Sequence, residues 1–123
     1  MSKILVIEDD LEFSQALCKA LRKSGYDVLF AENGQKGIDL YKRFLADLVI
    51  TDILMPEKDG IEVIVDLKKH FPNIKIIAIS GGGSAGSGLE YLRSAEVVCD
   101  VRHTLAKPFK RDRLFQMIEE VLG

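Results

Sequence analysis

Side chains able to do chemistry follow four of the apolar segments in this chain. Glu8 and Asp9 come directly after the first segment, and Asp52, Ser80 and Lys107 come after three later ones. Carboxylates bind divalent cations, and an ammonium and a hydroxyl can neutralise the oxygens of a phosphoryl group. The combination indicates phosphoryl chemistry with a metal ion, provided that the fold brings the five positions together.

The segments that must position these residues alternate between strand and helix patterns. Strands are predicted at residues 3–7, 26–30, 47–51, 74–79 and 102–106. The fourth and fifth helices are predicted at residues 89–96 and 111–122. In the first three helices apolar residues recur at helical spacing: Phe13, Leu17 and Leu21, then Ile38, Tyr41 and Leu45, then Ile61, Ile64, Val65 and Leu67. Five strands alternating with five helices predict an α/β fold with a parallel sheet covered on both faces.

Local signals mark where the first two helices begin and end. Asp10 and Asn33 precede them, and both side chains can accept a hydrogen bond from a backbone N–H in the first turn. Ser24-Gly25 is typical of a helix end. Asp10 is therefore interpreted as the N-cap of the first helix rather than as a further ligand of the site.

Parallel strands end at one edge of their sheet, which is where such folds bind ligands. Glu8, Asp9 and Asp52 would meet there, and three carboxylates repel one another unless a cation compensates them. Hard oxygen ligands suit Mg²⁺. A carboxylate beside that ion can take up a phosphoryl group as an acyl phosphate. Lys107 and the Ser80 hydroxyl are suited to neutralise its oxygens.

The chain resembles a response regulator receiver domain along essentially its whole length. The matching pieces, in order, are Lys3-Ile-Leu-Val-Ile-Glu-Asp-Asp10, Asp52 with Met55-Pro56 and Asp59-Gly60 behind it, Ser80, and Lys107-Pro108-Phe109. The resemblance implies a single receiver domain over residues 1–123. It also implies a flavodoxin-like, doubly wound sheet in the order 2-1-3-4-5.

The same resemblance assigns roles to individual residues. Asp52 would be the phosphorylation site, with Mg²⁺ as cofactor. Lys107 and Ser80 would contact the phosphoryl group, and Ser80 would also move in the conformational switch. The metal ligands would be Asp9, Asp52, the backbone carbonyl of Leu54, and Glu8 through a bound water. A cis peptide before Pro108 is implied as well, and X–Pro bonds tolerate that geometry.

A receiver of this kind would take its phosphoryl group from a sensor histidine kinase or a histidine phosphotransfer protein. It would then signal by binding a downstream protein or by passing the group on, and it would not be an enzyme in the usual sense.

The net charge of −2, from 17 basic and 19 acidic residues, provides no basic field for nucleic acid. The apolar runs are far shorter than the roughly 20 residues that span a bilayer. Cys18 and Cys99 lack metal or redox spacing, which favours reduced thiols and a cytoplasmic location.

Two other functions compete with this interpretation. A pseudo-receiver would bind partners without taking phosphate, although it would not need Asp9, Asp52 and Lys107. A phosphohydrolase with an aspartyl nucleophile would use a second Asp two residues later, where Leu54 stands.

The glycine-rich segment 81–88 contains two accidental motifs. Its G-x-G-x-x-G pattern follows the fourth strand, whereas a dinucleotide site needs it after the first. Its G-x-S-x-G pattern precedes Asp100 and His103, the order of a hydrolase triad. A hydrolase would leave Asp9, Asp52 and Lys107 without a role, so the segment is interpreted as a glycine loop.

The chain departs from the receiver pattern at its switch. Thr104 occupies the position of the usual aromatic residue on the fifth strand, so the coupling of Ser80 to a turning ring cannot operate in its usual form. His103 or Tyr91 could replace that ring, or the switch could lie in the glycine loop. We favour an order–disorder change in the loop, because ordering glycine is costly.

Overall fold

The computed structural model describes residues 2–53, 60–81 and 101–123. Its five strands form one parallel sheet in the order β2-β1-β3-β4-β5, which confirms the expected order. The strands are β1 (Lys3–Ile7), β2 (Asp27–Ala31), β3 (Leu48–Asp52), β4 (Ile76–Gly81) and β5 (His103–Lys107).

The described residues contain four helices, whereas the sequence predicts five. They are α1 (Leu11–Lys23), α2 (Gly34–Phe44), α3 (Gly60–His70) and α4 (Arg111–Leu122). The helix predicted at residues 89–96 lies outside the described residues.

The sheet separates two apolar clusters, one on each face. Alternate residues of β1 point to opposite faces, so Leu5 and Ile7 join the cluster that also holds residues of α2 and α3. Ile4 and Val6 join the cluster that holds residues of α1 and α4. The central strands are therefore buried on both faces, as continuous apolar runs predict.

Helix ends follow the local signals in the sequence. The side chain of Asp10 accepts a hydrogen bond from the Phe13 N–H at 3.1 Å, and that of Asn33 accepts one from the Lys36 N–H at 2.9 Å. Beyond α1, Gly25 has a φ of 98°, which glycine adopts without strain. Asp10 is thus the N-cap of α1, as predicted.

Two apolar residues of the predicted helical patterns are exposed. Leu45 is 57% exposed because it caps α2 in the left-handed conformation, with a φ of 50°, and so leaves the helical face. Val65 is 47% exposed because it lies beside the buried face of α3. The residues on that face recur at three- and four-residue spacing, and they are Gly60, Val63, Ile64 and Leu67.

Four strands, β2 to β5, begin one or two residues later than the sequence predicts, and turns explain the difference for β2 and β4. The Tyr26 N–H donates to the carbonyl of Leu21 at the end of α1, so β2 begins at Asp27. The Ile74 N–H donates to the carbonyl of Phe71, so β4 begins at Ile76.

Gly60 fixes the approach of α3 to the end of β3. Its N–H donates to the carbonyl of Ile53 at 2.8 Å. A Cβ on Gly60 would lie 2.5 Å from the Cα of Ile53 and closer still to the carbonyl oxygen of Asp52. These are backbone atoms, so they cannot turn aside as a flexible side chain could.

Replacing Gly60 with Ala should therefore lower the free energy of unfolding by about 2 kcal/mol, as overpacking does. Urea denaturation measures this loss. The exposed Lys69 on the same helix provides a control, because Lys69→Ala should change stability by no more than about 0.5 kcal/mol. Equal stability of the Gly60→Ala and wild-type proteins would contradict the steric argument.

Candidate functional site

Two neighbouring strands bring three carboxylates to one edge of the sheet. Ile7 of β1 pairs with Thr51 of β3, so Glu8 and Asp52 follow side by side at the carboxyl ends of these strands. Each of Glu8, Asp9 and Asp52 offers a carboxylate oxygen, and these atoms lie within 4.8 Å of one another. The sequence prediction that these acids converge is confirmed.

The three carboxylates differ in their contact with solvent. Glu8 is fully buried and Asp52 is 4% exposed, whereas Asp9 is exposed. The buried acids therefore need compensation from the protein or from a bound cation, because isolated charge is costly away from water.

Lys107 supplies part of that compensation from the end of β5. Its Nζ lies 2.5 Å from Oε1 of Glu8 and 3.2 Å from Oδ2 of Asp52. Its side chain is only 18% exposed, so the three groups interact largely out of water. One ammonium thus bridges two buried carboxylates that come from separate strands.

Burial and neighbouring charges change the pKa of Glu8 and of Lys107 in this cluster. Burial raises the pKa of Glu8 to about 7, although the hydrogen bond from Lys107 opposes the rise and the charge of Asp52 adds to it. Burial alone would lower the pKa of Lys107, but its hydrogen bonds to Glu8 and Asp52 and their charges outweigh burial and raise it. Lys107 is therefore held as a cation beside the acids.

Ser80 stands at the carboxyl end of β4, between the strands that carry Asp52 and Lys107. Asp52 pairs with Ile79, the residue before Ser80, and Ser80 itself pairs with Ala106. Its hydroxyl oxygen is buried and has no hydrogen-bond partner among the described residues. Buried polar groups are nearly always paired, so this hydroxyl indicates a ligand that is polar.

The donor set fits a hard divalent cation. Three carboxylates gathered on one edge match the oxygen ligands and the charge that Mg²⁺ requires. Leu54, whose carbonyl is the fourth predicted ligand, lies outside the described residues.

The neighbouring predictions have different outcomes. The backbone N–H of Asp10 donates to Oε2 of Glu8 at 3.2 Å, so Asp10 supports the site through its backbone as well as capping α1. The peptide bond between Lys107 and Pro108 is cis, as predicted. Thr104 and His103 are half-buried on β5. Tyr91 and residues 82–88 lie outside the described residues, so the order–disorder change stays a prediction.

One contact of the site was not predicted from the sequence. The Lys107 Nζ lies 3.9 Å from the centre of the Phe13 ring. Phe13 carries the helical spacing of an ordinary core residue, and no local pattern links it to a lysine so far along the chain. Only the fold, which brings Phe13 of α1 to the end of β5, reveals this contact.

A parallel sheet in this order, with an acidic cluster and a lysine at its carboxyl edge, defines the receiver class of α/β domain. The sequence model of the response regulator receiver domain family matches residues 4–119. The chain belongs to this family, in which acceptance of a phosphoryl group is general.

No helix within the described residues has both the length and the apolar character to cross a membrane.

Related proteins include short and long chains. The chain is 32% identical to the chemotaxis protein CheY of Thermotoga maritima, over 98% of each protein. It is 35% identical to the response regulator receiver protein CpdR of Brucella abortus, over 99% of this chain and 98% of that one. It is also 33% identical to the transcriptional regulatory protein ZraR of Klebsiella oxytoca, over 98% of this chain but 26% of that protein.

Solved structures show the same fold. The response regulator TrrA of Thermotoga maritima, in complex with Mg²⁺ and BeF, superposes with a TM-score of 0.86 at 29% identity, over 99% of this chain and 100% of that one. A response regulator receiver domain from Clostridium thermocellum superposes with a TM-score of 0.84 at 26% identity, over 99% and 94%.

Removing the ammonium should destabilise the metal-free protein, because Glu8 and Asp52 then remain buried without it. Lys107→Met should lower the free energy of unfolding by about 3 kcal/mol, measured by urea denaturation in EDTA. Lys110→Met, at an exposed lysine nearby, should cost no more than about 0.5 kcal/mol. In a Glu8→Gln background Lys107→Met should cost less, and an equal cost in both backgrounds would refute the ion pair's contribution.

Mg²⁺ should stabilise the protein through the acidic cluster. At 100 times its dissociation constant the gain would be about 2.7 kcal/mol, seen as a rise in Tm. Asp9→Asn should weaken binding and reduce this rise. Asp10→Asn is the matched control, since asparagine also caps helices and the neighbouring charge is lost. If the two variants respond to Mg²⁺ alike, Asp9 is not a ligand.

Proposed function

We propose that Asp52 accepts a phosphoryl group from the phosphohistidine of a sensor kinase or phosphotransfer protein, with Mg²⁺ as cofactor. The observation that supports this most directly is the setting of Asp52. This nearly buried carboxylate lies beside Lys107 at 3.2 Å, shares a cation-binding cluster with Glu8 and Asp9, and neighbours the buried hydroxyl of Ser80.

In the proposed step, a carboxylate oxygen of Asp52 attacks phosphorus and forms the O–P bond of an acyl phosphate. The P–N bond to the donor histidine breaks, and its electron pair stays on the imidazole. Mg²⁺, when bound by Glu8, Asp9, Asp52 and the carbonyl of Leu54, supplies positive charge against the phosphoryl oxygens. Glu8 would act through a bound water.

The residues of the chain then complete the neutralisation of the phosphoryl group. Lys107 already lies beside Asp52, so its ammonium can pair with an incoming oxygen after little movement. Ser80 can donate its hydroxyl proton to another oxygen, which would satisfy the buried oxygen at the end of β4. Both groups hold their positions on strands before the phosphoryl group arrives.

We further propose that the chain is a stand-alone receiver rather than an enzyme. Each transfer would leave the phosphoryl group on Asp52, so the acceptor is occupied until the group is hydrolysed or passed on. Relatives such as CheY and CpdR have about the same length as this chain, which supports signalling by binding a downstream protein or by onward transfer. The buried free thiol of Cys18 agrees with a cytoplasmic location.

Incubation with acetyl phosphate and Mg²⁺ tests the proposed acceptor. Intact-mass spectrometry should show one added phosphoryl group that hydroxylamine removes, as it removes other acyl phosphates. Asp52→Asn should show none. Ser80→Ala should slow loading by about 10-fold or more, because it removes one donor to the developing charge.

The same experiment separates the proposal from the pseudo-receiver. A folded protein that gains no phosphoryl group, and that does not bind beryllofluoride with Mg²⁺, would be an interaction module only. A group that survives hydroxylamine, or that also appears on Asp52→Asn, would exclude Asp52 as the acceptor.

A further inference from the structure

The ammonium of Lys107 contacts an aromatic face as well as two carboxylates. Its Nζ lies 3.9 Å from the centre of the Phe13 ring, well inside the roughly 6 Å over which a ring attracts a cation. The carboxylates of Glu8 and Asp52 hold the same nitrogen at 2.5 and 3.2 Å. Three groups from α1, β1 and β3 therefore fix one flexible side chain.

The Phe13 ring is itself held in place. Phe109 meets it edge to face, with ring centres 6.0 Å apart and planes 84° apart. Both rings pack against the apolar cluster between the sheet and helices α1 and α4. The backbone of Phe13 is also fixed, because its N–H donates to the cap residue Asp10 at 3.1 Å. The ring is thus a rigid surface for the ammonium.

An aromatic face differs from a carboxylate in a way that suits the proposed reaction. It attracts an ammonium through the ring quadrupole but carries no net charge. In the proposed site Glu8 also binds the metal and Asp52 also accepts the phosphoryl group. The ring contacts Lys107 without taking part in either step. A third acid in its place would attract Lys107 equally well but would repel the incoming phosphoryl group.

We propose that Phe13 is a positioning residue for Lys107, holding the ammonium beside Asp52 for phosphoryl acceptance. This inference rests on the proposed function of Asp52. It predicts that loss of the ring slows loading of the acceptor even where the fold is retained, and that another aromatic ring restores the rate.

Three variants distinguish positioning from core packing. Phe13→Leu removes the ring but remains apolar, and Phe13→Tyr keeps the ring. Phe115→Leu is the matched control, because Phe115 is a half-buried phenylalanine packed against the same cluster from α4.

Phe13→Leu should load acetyl phosphate about 3- to 10-fold more slowly than wild type, the range a partly desolvated cation–π contact supports. Phe13→Tyr and Phe115→Leu should remain within about twofold, a factor well below that contact's contribution.

A second measurement tests the contact without phosphate or metal. The terminal methylene of Lys107 is bonded to the Nζ that lies over the ring, so NMR should show its protons shifted upfield. Phe13→Leu should abolish this shift, whereas Phe13→Tyr and Phe115→Leu should retain it. Melting temperatures of all variants report any general loss of packing.

Each result decides between positioning and packing. Equal loading by Phe13→Leu and wild type would overturn the proposal, and so would equal slowing in Phe115→Leu or no rescue by Phe13→Tyr. Absence of the upfield shift in wild type would also overturn it. If wild type shows the shift but never loads a phosphoryl group, the contact stands and the proposed function of Asp52 fails instead.

Discussion

The arrangement of this protein's candidate site depends on negative charge that is buried at the ends of two central strands. Glu8 is fully buried and Asp52 nearly so, and they lie side by side because Ile7 and Thr51 are paired just before them. Lys107 opposes this charge from β5, which is separated by one strand from β3, where Asp52 lies, and by two strands from β1, which Glu8 follows. The acids need a cation, and the lysine is kept charged by the acids.

The parallel sheet makes this arrangement possible. Strands buried on both faces have no exposed surface on which to build a site, so chemistry concentrates where they end. The register of β4 with β3 and β5 then places Ser80 between the strands that carry Asp52 and Lys107. A shift of one residue in any of these pairings would turn the corresponding side chain to the other face.

Much of the fold and site could be predicted because their signals are local. Apolar runs that stop at polar residues gave the strand ends to within one or two residues, and Asp10 marked the start of α1. The strand order came from the family resemblance, since periodicity carries no information about which strands are neighbours. The exposure of Leu45 and Val65 could not be predicted, because both lie next to buried residues of their helices, where a shift of one residue decides exposure.

Other features depend on packing between distant segments. The burial of Glu8, which raises its pKa to about 7, is a property of the folded chain that its neighbours in sequence do not reveal. The ring of Phe13 meets Lys107 only once α1 lies against the end of β5. Residue types alone could indicate which groups take part in the site. They could not indicate that the ammonium of Lys107 contacts Glu8, Asp52 and the Phe13 ring at once.

The bridge from Glu8 to Lys107 joins residues 99 positions apart. Contacts of such high sequence separation close the largest loops and are slow to form. A ribosome releases the acids of β1 and β3 long before the lysine of β5, so a nascent chain carries its acidic cluster without this counter-charge. The candidate site is therefore complete only once the last strand has docked, and a half-folded molecule lacks the ammonium that opposes its buried acids.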